Sequence, residues 1–274
     1  MKLGIVGKGG IGKTTVSALL AETYAAQGKR VLAIDTDSNP NLAYTLGLDA
    51  KAADEVPLLP RSLVVGSGSG AISPADLVRE YGVTTPSDVT LLHAMRVTQA
   101  GAGCTCSSHA TVRSLLGAAI EEEADVTLVD MEAGLEHLSR SGGTLAYVDV
   151  LLVVMEPTRK SVLTAGRTLA LADELGIPRV YGVGNKAHLP EDAEFFATAC
   201  AEYGVELAHV IPFDADVVEA DRMGTVLPPG KAQAVRAAVA ELVQFLDSSD
   251  AERQALITER ARIDRRLAEL QLSD

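Results

Sequence analysis

The chain has 274 residues and a formal net charge of −13. That length suffices for one large α/β domain with a well-buried core, and the acidic balance excludes a nucleic-acid binder acting through bulk electrostatics, although phosphates need only local positive groups. Aromatic residues make up 4% of the chain and tryptophan is absent, so small aliphatic residues supply the core, as suits helices packed on a parallel sheet.

In chain order, Lys2 to Val6 reads as a buried strand. Because MKLGIVG runs straight into it, no signal peptide is visible and a cytoplasmic protein is expected. Lys13 to Gln27 reads as a helix, with Leu19, Leu20, Thr23 and Tyr24 near one face and Gly28 as its stop. Arg30 to Asp35 is the next apolar run, which completes a βαβ unit. Residues 48 to 88 carry Gly, Ser and Pro clusters, including GSGSGAISP at 66 to 74, and are expected to be an insertion or mobile region with little sheet. Val89 to Leu92 follows as a short strand, His109 to Glu122 as a helix, and Asp125 to Asp130 as a strand. Val148 to Met155 is a strong strand, and its apolar core, Val150 to Met155, is too short to span a bilayer. A helix from Lys160 to Leu175 and a strand from Arg179 to Gly184, ending at Asn185 and Lys186, come next. Glu191 to Tyr203 reads as helix, Glu206 to Ile211 as strand, and Lys231 to Leu246 as a last core helix.

This alternation predicts a single-domain α/β fold, with a mostly parallel sheet flanked by helices on both faces. The domain is expected to span 1–247. Residues 248–274 form a charged tail, in which Leu256, Ile263, Leu267 and Leu270 make a short heptad seam.

Gly7 to Thr14 matches G-x-x-x-x-G-K-[ST] directly after a strand and before a helix, the context that the motif requires. In the loop Gly7, Lys8, Gly9, Gly10, Ile11, Gly12, Lys13, Thr14 and Thr15, the glycines let backbone N–H groups turn toward phosphate oxygens. The helix N-terminus adds further unpaired N–H groups. Lys13 is expected at the β- and γ-phosphates and Thr14 on Mg²⁺. Asp35, Asp37 and Asp130 follow strands, at the sheet edge where open α/β sheets bind ligands. NKAH at 185 to 188 has His188 where an NKxD guanine site has its Asp, which favours adenine. Cys104 and Cys106, in GAGCTCSSHA, offer two thiolates, whereas a closed tetrahedral site for a soft metal takes four ligands. Either His109 and water complete the shell or a two-fold dimer joins two pairs. Three cysteines do not make a disulfide framework and fit a reducing cytosol. Cys200 reads as core.

GKGGIGKT resembles the deviant Walker A loop of the family that holds the nitrogenase iron protein, the Min and Par ATPases and the metallochaperone ATPases. The resemblance implies ATP-driven homodimerisation, with Lys8 reaching the partner's nucleotide. It implies Asp37 as the switch I acid that orients water, Asp35 as support for the Mg²⁺ shell, and Asp130 as the Walker B acid. It places Asn185, Lys186 and the segment Pro212, Phe213 and Asp214 around the base. VDMEAGLEHLSRSG at 129 to 142, the Cys-x-Cys before a helix and EPTRKSV at 156 to 162 resemble the CooC family, the nickel-insertion accessory ATPases of carbon monoxide dehydrogenase. That resemblance implies Ni²⁺ or Zn²⁺ on Cys104 and Cys106 and a carbon monoxide dehydrogenase-like client, without nucleic acid or membrane. An iron–sulfur redox protein is disfavoured, because switch II carries Ala133 and Gly134 where the nitrogenase iron protein has a cluster cysteine. A partition or positioning ATPase would be expected to show a basic surface or basic amphipathic tail, and neither is seen. Whether His109 or His137 joins the metal site is left open.

Overall fold

The computed structural model describes residues 1–60, 63–66, 70–96, 106–118, 120–132 and 145–251, with residues 106–109, 121 and 146 described by backbone alone. Among them are strands β1 (Lys2–Gly7), β2 (Val31–Asp35), β3 (Val83–Thr84), β4 (Val89–His93), β5 (Val126–Asp130), β6 (Val150–Met155), β7 (Val180–Ala187) and β8 (Glu206–Pro212). They form one sheet in the order β3-β4-β2-β5-β1-β6-β7-β8. The β3–β4 edge pair is antiparallel and the other pairs are parallel. The expected α/β fold is present, and β1 lies between β5 and β6, so the loop after it opens at the carboxyl end of the sheet's centre.

Alternation along each strand builds two cores. In β6, Val150, Leu152 and Val154 face one layer, while Leu151, Val153 and Met155 face the other. The first layer is closed by α1 (Lys13–Ala26) and by a long helix, residues 233–251, through Leu20, Tyr24, Val239 and Leu242. The second is closed by α5 (Cys106–Gly117), α6 (Arg159–Glu174) and α7 (Pro190–Glu202), through Leu115, Val162 and Phe196. Fully burying one such side chain contributes roughly 1.5–3 kcal/mol. Cys200 is buried in this second layer, as expected.

Several boundaries differ from the sequence reading. α5 starts at Cys106 rather than His109 and ends at Gly117, and a separate 3₁₀ turn covers Ile120–Glu122. Glycine is a poor helix former, and the break falls there. β6 begins at Val150 because Leu145–Tyr147 form a 3₁₀ turn. Asn185 and Lys186 lie within β7, at a register irregularity against β8.

Residues 48 to 88 do contain little sheet, but they are not structureless where described. They hold α3 (Ala50–Glu55), capped by Asp49, and α4 (Pro74–Tyr81), capped by Ser73. Two more helices escaped the sequence reading: α2 (Leu42–Thr45) and α8 (Ala215–Met223). The last helix runs past 247 to 251. It is pinned by Arg179–Asp250 at 2.8 Å, by Tyr181 Oη to Ser249 Oγ at 2.8 Å, and by an edge contact of Phe245 with Tyr181. Residues 252–274, with the heptad seam, lie outside the described residues. Among the described residues, no helix is long and apolar enough to cross a membrane.

Candidate nucleotide-binding site

The P-loop is a set of backbone conformations that few side chains tolerate. Gly10 has φ 80° and Gly12 φ 93°, both in the left-handed region that favours glycine. A Cβ on Gly12 would also sit 2.5 Å from Asn185 Nδ2. The loop packs that closely on β7 because Asn185 Nδ2 donates to Ile11 O at 2.8 Å and Lys186 Nζ donates to Gly10 O at 2.7 Å. Ile11 anchors the loop from beneath, fully buried. Lys8 stands exposed on its outer side.

Lys13 opens α1 and is 8% exposed. Its Nζ donates to Lys8 O at 3.3 Å. Burial lowers its pKa, while the carboxylates of Asp130, Asp37 and Glu132 pull it back up. A partly desolvated ammonium at a helix N-terminus suits a polyanion.

The cation end of the site lies beside Lys13. Asp130 is 2% exposed and accepts from Thr14 Oγ1 at 2.7 Å and from Ser17 Oγ at 3.0 Å. Asp35 is its register partner on β2 and is fully buried. Burial raises the pKa of both carboxyls, and Asp130 raises that of Asp35 further. Such a pair costs free energy when charged, and a divalent cation would offset that cost. The donors are hard oxygens, which fits Mg²⁺. Thr14 and Asp130 would hold it, and it would supply charge neutralisation on the phosphates. The Asp35 oxygens accept from Asp37 N and Leu42 N, each at 3.0 Å, so Asp35 shapes the loop from 36 to 42 beside the cation.

A cleft of about 600 Å³ runs from this end toward β8. Gly9, Gly10, Gly12, Lys13, Thr14, Thr15, Asp37, Asn185, Lys186, Pro212, Phe213 and Asp214 all line it. A volume of that order accommodates a nucleotide. Gly7, Lys8, Ile11, Asp35 and Asp130 stand behind or outside its wall. Val217, Val218 and Asp221 of α8 also line it, and the sequence reading missed them together with that helix. Asp214 as N-cap and Gly224 as a left-handed C-cap were the available signals. His188 stacks on Phe213, with ring centroids 4.1 Å apart and 22° between planes. The position that would carry a guanine-reading acid is thus spent on a stack. Cys104, Ala133, Gly134 and His137 lie outside the described residues, and Cys106 and His109 are described by backbone alone.

The family model for the CobQ/CobB/MinD/ParA nucleotide-binding domain matches residues 5–227. The chain belongs to that family. It is a P-loop ATPase that works on ATP with Mg²⁺. Among curated proteins it is 34% identical over 262 residues to the carbon monoxide dehydrogenase accessory protein CooC of Rhodospirillum rubrum, covering 89% of this chain and 97% of that one. The CooC-type resemblance is borne out at that level. An ATP-binding protein of Methanocaldococcus jannaschii is also 34% identical, over 82% of this chain and 90% of its own. Among solved structures, MinD of Pyrococcus horikoshii complexed with Mg-ADP superposes with TM-score 0.68 at 21% identity, over 90% of this chain and 95% of that chain. That structural likeness confirms the fold.

Proposed function

We propose that this ATPase is a metallochaperone, which binds a nickel or zinc ion through Cys104 and Cys106 and uses the ATP cycle to deliver it to a client metalloenzyme. The observation that carries the reading is a similarity to CooC over nearly the whole of both chains, joined to a Cys-x-Cys pair of which Cys106 opens α5. A helix N-terminus favours thiolate over thiol, and thiolates select soft and borderline metals. The client is then an enzyme of the carbon monoxide dehydrogenase kind, and the metal ion is cargo rather than a resident cofactor. Two thiolates leave a tetrahedral site half filled. A two-fold homodimer closed by ATP supplies the other two, so hydrolysis would part the sulfur pairs and release the ion. The protein works in the cytoplasm, where thiols stay reduced.

Native mass spectrometry with a non-hydrolysable ATP analogue tests this. One Ni²⁺ or Zn²⁺ per two chains is expected, lost on replacing Cys104 and Cys106 with Ser while nucleotide binding persists. One metal per chain, or unchanged uptake in the double Ser variant, would rule out the shared site. A brown, iron-containing protein would favour an iron–sulfur reading instead. An iron–sulfur cluster carrier protein of Saccharolobus solfataricus is a more distant relative, 25% identical over 81% of this chain.

A further inference from the structure

The loop from 36 to 42 carries Asp37, and three sets of bonds hold it. At its start, Thr36 N and Thr36 Oγ1 both donate to Asp130 O, at 3.0 and 2.8 Å. Asp35 accepts from Asp37 N and Leu42 N and so closes the loop on itself. The third bond crosses to the chain beyond β5, where Ser38 Oγ donates to Glu132 Oε1 at 2.8 Å. Both residues are half-buried. Glu132 follows Asp130 by two residues, and its carboxylate is among the charges that act on Lys13.

We propose that Glu132 is a positioning residue for ATP hydrolysis, and that it acts by holding Ser38 so that the adjacent Asp37 carboxylate stays fixed at the phosphate end of the cleft. Asp37 Oδ1 is already turned onto Asn39 N at 2.8 Å. With the loop pinned at residues 36, 38 and 42, that carboxylate has little freedom. Without the Ser38 bond, Asp37 N stays on Asp35, but Asn39, on which the Asp37 carboxylate rests, is then held among the described residues only by bonds within the loop itself. A group that orients water loses rate steeply when displaced, whereas phosphate binding by the loop from Gly9 to Thr15 does not depend on it. The same bond links the loop behind β2 to the chain that leaves β5, so movement of one is felt by the other. This inference rests on the ATPase activity of the family and on the water-orienting role expected of Asp37, and is independent of the metal reading.

Steady-state ATPase kinetics on Ser38→Ala, Glu132→Ala, Glu132→Gln and the double Ala variant test it. An amide oxygen still accepts from Ser38, so Glu132→Gln keeps the bond and loses the charge. Losing a hydrogen bond to a charged group is worth about a tenfold change. Ser38→Ala and Glu132→Ala should each lower kcat by about tenfold with KM within about twofold, and the double variant should be no slower than the slower single. Glu132→Gln should retain kcat within about threefold of the parent, because a neutral hydrogen bond keeps most of the geometry. Three results would overturn the proposal. One is Glu132→Gln falling as far as Glu132→Ala while Ser38→Ala keeps full rate, since Glu132 would then act through its charge. Another is a double variant whose losses multiply. The last is a rise in KM at unchanged kcat.

Discussion

At the scale of single residues, the site depends on groups placed where they are costly. Asp35 and Asp130 sit in the core at the end of their strands, and burial opposes their ionisation until a cation arrives. His93, the register partner of Asp35 on β4, is 1% exposed, and neither ring nitrogen has a hydrogen-bond partner among the described residues. Burial, and then the nearby Arg96 guanidinium, lower its pKa from 6.5 to about 4. The unfolded chain therefore binds a proton that the folded chain refuses. Stability from this residue is complete above pH 6.5 and is lost as pH falls toward 4. Denaturant titrations across that range should show His93→Leu losing less stability on acidification than the parent. Equal acid sensitivity would assign the slope to other groups. The P-loop was readable from its own letters, because glycine spacing dictates the nest. That Asn185 and Lys186 are turned onto the loop carbonyls was not readable, because the hydrogen bonds span 174 and 176 residues.

At the scale of elements, β7 shows how packing selects small residues in a strand. A Cβ on Gly184 would meet the Phe196 ring at 2.7 Å, and Phe196 is fully buried under the sheet. Gly184→Ala should destabilise the fold by about 1–3 kcal/mol, the range for overpacking a core, measured as a lowered denaturant midpoint at unchanged slope. An unchanged midpoint would mean that the Phe196 ring yields freely. Gly184 adjoins Asn185, so ATP affinity should fall too. Most strands were found to within two residues, because four to six buried apolar residues in a row have few other uses. The helices Ala50–Glu55, Leu42–Thr45 and Ala215–Met223 were missed because each is short, with its caps as the main signal. Ala215–Met223 mattered most, since it lines the cleft together with Phe213 and Asp214.

At the scale of the whole molecule, nucleotide cleft and exposed lysine lie at the same end of the sheet. Lys8 is exposed beside a loop whose other cation, Lys13, is buried in the site. We expect ATP to favour a homodimer in which Lys8 meets the partner's nucleotide, since a ligand touched by both chains binds the dimer better. Lys8→Ala should then weaken ATP-dependent dimerisation by about tenfold or more in ultracentrifugation, with ATP binding to the monomer nearly unchanged. A chain that stays monomeric with a non-hydrolysable analogue would remove the mechanism.

The sequence by itself determined the fold class, the phosphate loop and the row of acids at the strand ends. Each of these follows from local rules: buried runs make strands, glycines permit the loop, and parallel strands deliver their last residues to one edge. Only the tertiary structure decided that β1 lies between β5 and β6, that Asp35 faces Asp130, that Ser38 reaches Glu132, and that His188 stacks on Phe213. Strand order and contacts between distant segments are set by which faces bury together. That is a property of the packed whole, and no window of neighbouring residues contains it.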